Sequence, residues 1–151
     1  MATVKKLYVD PSALLKLYLH EPESRAMTTW RSRITAPLMV THHGRVELGN
    51  GIALAAHRGY LSEPAYLAAL AALDDDFASG RYCQADLLWR SALKLAGELS
   101  RAHSRTLGTR SLDVLHVASA LELGQTHFVT FDHRQSALAL AAGMKVITPT
   151  I

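Results

Sequence analysis

Two short apolar runs in this chain each stop on an aspartate. Leu7-Tyr8-Val9 ends at Asp10, and Phe128-Val129-Thr130-Phe131 ends at Asp132. Each run has the length and composition of a buried strand, and helical character follows both. After the first, Pro11 breaks any continuing ladder, and Ser12 is placed to cap a helix over 13–18. If the two strands are parallel, both carboxylates lie at the C-terminal edge of one sheet, the edge where open α/β sheets bind ligands. Alone, either aspartate reads most simply as a helix cap. The recurrence on two strands points to a shared task.

The remaining elements fit that frame. The first helix is interrupted at His20-Glu21-Pro22, a second is expected over 23–33, and a brief strand over 37–41. A helix over 46–58 closes at Gly59. Ser62 as cap and Pro64 in the first turn open the next helix, which runs to Asp74-Asp75-Asp76, read as a solvated end. Asp86 is placed to cap a helix over 87–103. Ser111 starts a strongly apolar helix ended by Gly124. A helix to Ala142 and a strand over 145–148 finish the chain. Strands alternating with helices predict an α/β domain of three layers, with a small, mostly parallel central sheet flanked by helices. Its 151 residues suffice for one domain, 1–151, with an adequate core. Trp30, Leu67 and Leu70 are expected in that core, the alternative being an apolar groove for a partner protein.

Composition excludes several classes. With 49% apolar and 19% charged residues the chain is globular. Its single cysteine, Cys83, rules out an internal disulfide and a thiolate zinc site. Met1-Ala2-Thr3-Val4-Lys5-Lys6 lacks the apolar centre of a secretory signal, and no run is long enough to span a bilayer. The expectation is a cytoplasmic protein with no membrane partner. The net charge of +3 permits a polyanionic partner without demanding one, although eleven of the sixteen cations are arginines, the better bidentate phosphate ligands.

Most of the thirteen acids sit at expected helix ends or solvent faces. Four do not. Asp10 and Asp132 end strands. Glu47 lies inside a helix, on a face shared with His43, Gly44, Asn50 and Gly51, small and polar enough for a ligand to come close. Asp113, in the first turn of its helix, lies in line with Val117 and Ala120 on an apolar stripe. A half-buried charge there is costly without a partner, and Arg110 is the nearest candidate. If the four met, each pair of carboxylates about 4 Å apart would repel by roughly 4 kcal/mol at an effective dielectric near 20. A cation among them relieves this, and all-oxygen ligation selects magnesium or manganese over zinc. Such an ion activates a bound water and neutralises charge on a phosphoryl oxygen, the chemistry of a metal-dependent phosphodiesterase.

Four stretches then carry a resemblance. Tyr8-Val9-Asp10-Pro11-Ser12-Ala13-Leu14-Leu15-Lys16-Leu17-Tyr18, Arg45-Val46-Glu47-Leu48, 110–121 beginning Arg110-Ser111-Leu112-Asp113, and Phe128-Val129-Thr130-Phe131-Asp132-His133-Arg134-Gln135 together resemble the PIN-domain ribonucleases, and within them the VapC-type toxins of toxin–antitoxin pairs. The resemblance covers nearly the whole chain. It implies a PIN-like fold in which Asp10, Glu47, Asp113 and Asp132 form an acidic quartet holding Mg2+ or Mn2+. It implies an RNA substrate cut by a metal-activated water to leave a 5′-phosphate and a 3′-hydroxyl. A homodimer is implied too, as is a cognate antitoxin that lays a helix in an apolar groove. Ser12 and Thr130 match hydroxyl positions near the metal in the family, although a helix cap and a strand residue are their simpler roles. Arg110 and Arg134 border the site, where they would contact RNA phosphates or satisfy the carboxylates themselves. His116 reads as a packed, hydrogen-bonded histidine. His42 and His43 depart from the family pattern, and adjacent positions on a helix point about 100° apart, against a second metal site.

Two rivals compete. A receiver-like module also gathers acids around magnesium, but its phosphoacceptor aspartate belongs on a middle strand, and the strand ending at Val40-Thr41 has none. A non-catalytic PIN-like interaction module would keep the fold and not the chemistry. The complete quartet stands against it.

Overall fold

A computed structural model describes residues 6–151. Of the N-terminal stretch read above for a targeting signal, all but Lys6 lies outside the described residues. In chain order the elements are β1 (Leu7–Val9), α1 (Pro11–Leu15), α2 (Ser24–Ser32), β2 (Leu38–Thr41), α3 (His42–His57), α4 (Glu63–Ala78), β3 (Tyr82–Ala85), α5 (Trp89–Leu99), a π-helical turn (Ser100–Ser104), α6 (Arg105–Leu107), α7 (Ser111–Glu122), β4 (His127–Val129), α8 (His133–Ala141) and β5 (Lys145–Ile147). The chain divides into two compact units, residues 1–10 with 86–148 and residues 11–85 with 149–151.

In the first unit β1 pairs with β4 and β4 with β5, all parallel, with Tyr8 opposite Phe128 and Phe128 opposite Val146. The Asp10 N–H continues the ladder to the Val129 carbonyl at 3.0 Å, so Asp10 is seated where the strand ends. Parallel strands buried on both faces read as continuous apolar runs, which is why Leu7-Tyr8-Val9 and His127-Phe128-Val129 contain so little polarity. The core gathers Tyr8, Val114, Val117, Phe128, Leu138 and Met144. Tyr8 stacks on Phe128 with ring centroids 5.5 Å apart. Its hydroxyl is hydrogen-bonded to Nδ1 of buried His116 at 2.7 Å, the packed histidine expected from the sequence.

In the second unit β2 and β3 pair parallel, Leu38 opposite Tyr82 and Thr41 opposite Ala85. The α/β class and parallel strand pairing expected from the sequence are present, and several boundaries differ. α1 starts at Pro11, a favoured first helical position, so Ser12 is an exposed helical residue and not the cap. The α-helix also stops at Leu15, where the chain tightens into i→i−3 turns, the Leu17 N–H on the Leu14 carbonyl and the Tyr18 N–H on the Leu15 carbonyl at 3.0 Å each, and Lys16 binds Glu21 at 2.7 Å and Glu23 at 2.9 Å across the following residues. α3 begins at His42, four residues before the apolar periodicity, because the Thr41 hydroxyl accepts the Gly44 N–H at 3.0 Å. β3 was not anticipated, and Asp86 does not cap α5, whose cap position is Leu88 with no side-chain bond. The acidic run lies within α4: Asp76 accepts from the Tyr18 hydroxyl and pairs with Arg81 at 3.4 Å. Leu67 is exposed and Trp30 and Leu70 are half-buried, so none is a fully buried core residue.

Phe128 has no exposed surface and packs at the centre of the first unit. Phe128→Ala is expected to cost about 3–5 kcal/mol, read as a lowered urea midpoint at unchanged slope. A loss under 1 kcal/mol would show that the site collapses around the smaller side chain.

Candidate functional site

Three of the expected acids lie in the first unit, each placed by a different element. Asp10 follows β1 and is buried. Asp113 stands in the first turn of α7 with its side chain 20% exposed. Asp132 holds the cap position of α8, where its Oδ1 accepts the Gln135 N–H at 2.8 Å. The helix-cap role expected for Asp132 is therefore present.

Gln135 links the three. Its amide Nε2 donates to Asp10 Oδ1 at 3.0 Å and lies 3.5 Å from the Asp113 carbonyl oxygen. Its Oε1 accepts from the Thr130 hydroxyl at 2.7 Å, and that hydroxyl in turn accepts the Asp132 N–H at 3.1 Å. Thr130 is fully buried just past the end of β4, with its hydroxyl engaged by Gln135 and the Asp132 N–H. Sequence reasoning quoted Gln135 without assigning it a task. The signal was available: Asp132-His133-Arg134-Gln135 has the spacing of a capping box, whose third helical Gln normally reaches back to the cap N–H. Here the Thr130 hydroxyl takes that N–H, and the Gln side chain turns inward to Asp10.

The acids act on one another. Burial, then the charges of Asp132 and Asp10, push the Asp113 carboxyl above its ordinary range, with Arg110 pulling weakly the other way. Arg110 Nε stands 3.6 Å from Asp113, but the arginine side chain is 79% exposed, which limits what the pair contributes. Arg134, also exposed, donates to the Gly108 carbonyl at 3.5 Å. Both arginines are thus on the rim of the first unit with their guanidinium groups largely in solvent.

Glu47 lies in the second unit, half-buried on α3. Its helix is fixed on either side of it. Arg45 stacks 4.0 Å above the Phe77 ring and reaches Gln84 at 3.3 Å. Gly51, one turn on, lets Leu15 approach so closely that an added Cβ would meet Leu15 Cδ1 at 2.5 Å. The small face predicted around Glu47 is therefore partly taken by α1. His42 is exposed, and His43 Nε2 lies 3.4 Å from the Thr41 hydroxyl.

As donors, Asp10, Asp113 and Asp132 are hard carboxylate oxygens, the set that suits magnesium or manganese. Among the described residues, no three His, Cys, Asp or Glu side chains stand close enough together to hold a metal ion as they are. Asp10 is engaged by Gln135, Asp113 by Arg110, and Asp132 by the α8 N-terminus. The chemistry of the set fits a divalent cation, and closing on one would require the Asp113 carboxylate to turn from Arg110.

A raised carboxyl value makes the folded state the better proton binder. Its stability contribution is fully present below the unfolded value of about 3.9 and is lost as pH rises through the folded value. Asp113 therefore costs stability at neutral pH. In metal-free buffer, Asp113→Asn is expected to raise the melting temperature at pH 7. The gain should vanish toward about pH 4. Thermal melts across that range check it. A lower melting temperature for the Asn variant at pH 7 would mean that the helix-dipole benefit of Asp113 outweighs the repulsion.

Comparison with known proteins places the chain. The PIN domain family model matches residues 7–148. Ribonuclease VapC47 of Mycobacterium tuberculosis (strain CDC 1551 / Oshkosh) is 32% identical over 148 residues, covering 95% of this chain and 96% of the relative. Ribonuclease VapC46 of Mycobacterium tuberculosis (strain ATCC 25618 / H37Rv) is 32% identical over 146 residues, covering 95% and 98%. Among solved structures, the crystal structure of FitAcB from Neisseria gonorrhoeae matches with a TM-score of 0.66 over 93% of this chain and 96% of that one, at 18% identity, a likeness of fold. The chain belongs to the PIN domain family, and within it to the group of the VapC ribonucleases.

Proposed function

We propose that this protein is a metal-dependent endoribonuclease toxin, one PIN-like domain over 1–151 that hydrolyses RNA in the cytoplasm and is silenced by a cognate antitoxin. The observation that carries the reading is the gathering of Asp10, Asp113 and Asp132 around Gln135, with the Asp113 carboxyl raised by burial and by the charges of the other two, in a chain whose relatives are named ribonucleases. Glu47 joins the three acids in this proposal on the strength of the family resemblance.

Asp10, Glu47, Asp113 and Asp132 would hold Mg2+ or Mn2+, which when bound would supply a water of lowered pKa and neutralise charge on the phosphoryl oxygen. The protein's own groups do the rest. Gln135 and Thr130 orient Asp10, the α8 N-terminus orients Asp132, and Arg110 and Arg134 draw in the phosphate backbone from the rim. Arg110 also moderates the charge of Asp113 until RNA and metal arrive. The non-catalytic alternative has one observation in its favour, the separate partners that each acid now has.

The antitoxin has a suitable seat in the second unit. A cleft of about 540 Å3 is lined by Leu15, Leu19, Pro22, Gly51, Leu54 and Leu61, with Glu21 and Arg58 among its polar lining. Its apolar floor and charged rim suit an amphipathic helix. For the homodimer, Leu88, Trp89 and Leu93 on and before α5 offer exposed apolar surface. Among the described residues no helix is long and apolar enough to cross a membrane.

Purified protein is expected to cut RNA only with Mg2+ or Mn2+ present and to gain thermal stability from millimolar metal. Asp10→Asn is expected to lose cleavage by at least about 100-fold, the scale of removing one electrostatic group from a preorganised site, while remaining folded. Undiminished cleavage by that variant, or by the wild type in EDTA, would contradict the proposal. Leu54→Arg is expected to weaken antitoxin binding and leave RNA cleavage by the free protein unchanged. Pull-down with the antitoxin co-expressed reads the first, and a gel assay the second. Equal antitoxin capture by both proteins would remove the cleft from the account.

A further inference from the structure

Gln135 touches all three acid-bearing segments of the first unit: Asp10 by its side chain, the Asp113 carbonyl by the same amide, and Asp132 by its backbone N–H. It has no exposed surface, and Thr130 has none either. A buried amide must find partners for both its N–H2 and its oxygen, because an unpaired polar group away from water is costly. Here the pairing also fixes which way the amide points. The Thr130 hydroxyl accepts from the Asp132 N–H, so its own hydrogen goes to Gln135 Oε1. The N–H2 then faces Asp10 Oδ1 and the Asp113 carbonyl, both acceptors. The reverse orientation would set oxygen against oxygen on that side. Thr148 completes the chain by donating to the Thr130 carbonyl at 3.3 Å.

We infer that Gln135 is a positioning residue for the divalent-metal site, with Thr130 as the group that fixes its orientation. This rests on the metal-nuclease reading above. The chemistry of the side chain matters. A lysine or arginine at this place would donate to Asp10 but also neutralise it, occupying with a fixed cation the charge that a divalent ion needs. A glutamate would add repulsion. A leucine would leave Asp10 Oδ1 and the Thr130 hydroxyl without this partner. Glutamine is long enough to cross from the first turn of α8 to the end of β1, and it donates hydrogen without bringing charge. It therefore holds a carboxylate in place while leaving the site net negative. Hydrogen bonds to ligating carboxylates of this kind typically account for about 10–100-fold in metal affinity or activity.

The test separates positioning from packing. Wild type, Gln135→Leu, Thr130→Val and Thr130→Ser are titrated with Mn2+ by electron paramagnetic resonance, and the Mn2+ dependence of RNA cleavage is measured on the same preparations. Gln135→Leu is expected to raise the Mn2+ binding midpoint about 10–100-fold. Its cleavage rate at saturating Mn2+ should recover to within a few-fold of wild type. Thr130→Val, nearly isosteric, should shift the midpoint the same way, and Thr130→Ser, which keeps the hydroxyl, should restore it. A Gln135→Leu protein that melts earlier but binds Mn2+ with the wild-type midpoint would overturn the inference. If Gln135→Leu does not fold, the Thr130 pair decides: equal midpoints for the Val and Ser variants would overturn it as well. Wild type that binds no Mn2+ and cuts no RNA would overturn the metal reading and this inference together.

Discussion

Like charges crowd together in a folded protein only where something holds them there, and in this chain the restraint is a hydrogen-bond relay. The Asp132 N–H, the Thr130 hydroxyl, the Gln135 amide and Asp10 Oδ1 form one directed chain of donors and acceptors. Remove its direction and the glutamine loses the reason to face Asp10. The relay works because every member is buried or half-buried and every donor has an acceptor, the condition under which polar networks specify a structure instead of weakening it. Asp113 stands at its margin and bears the consequence, a carboxyl that prefers its proton more than an isolated one would.

The fold of the first unit makes this relay possible. Parallel pairing of β1 with β4 brings Asp10 and Thr130 to the same end of neighbouring strands, and the N-terminus of α8 follows two residues later. α7 packs its apolar face into the same core through Val114 and Val117, which sets Asp113 at the near end of that helix. None of this requires an unusual backbone: among the described residues every residue with positive φ is a glycine, and no peptide bond is cis. The stored cost lies in electrostatics, not in strained geometry. That is the arrangement expected of a site built to take a cation.

Much of this was legible before any coordinates. Apolar runs that stop on aspartate marked β1 and the strand before α8, and the position of Asp113 in line with the apolar stripe of Val117 and Ala120 marked its half-burial. What escaped notice had local physical causes. β3 is only weakly apolar, with Cys83 exposed and Gln84 half-buried, so its strand character comes from pairing with β2 and not from its own pattern. The start of α3 was displaced because a single hydroxyl, Thr41, outweighs the periodicity of the residues that follow it. The long helix expected over 87–103 instead starts at Trp89, passes through a π-helical turn and ends beyond Leu107 at left-handed Gly108. Gln135 was hidden because its partners lie 125, 22 and 5 residues away in sequence, and a capping-box spacing points such a side chain elsewhere.

If Asp10, Asp113 and Asp132 share a divalent ion, anomalous diffraction from crystals soaked in Mn2+, collected at a wavelength where manganese scatters, shows it. The expected result is a manganese peak within ligand distance of Asp10, Asp113 and Asp132, with the Asp113 carboxylate turned from Arg110 toward the ion. Saturating Mn2+ with no peak there, and Asp113 still beside Arg110, would contradict it.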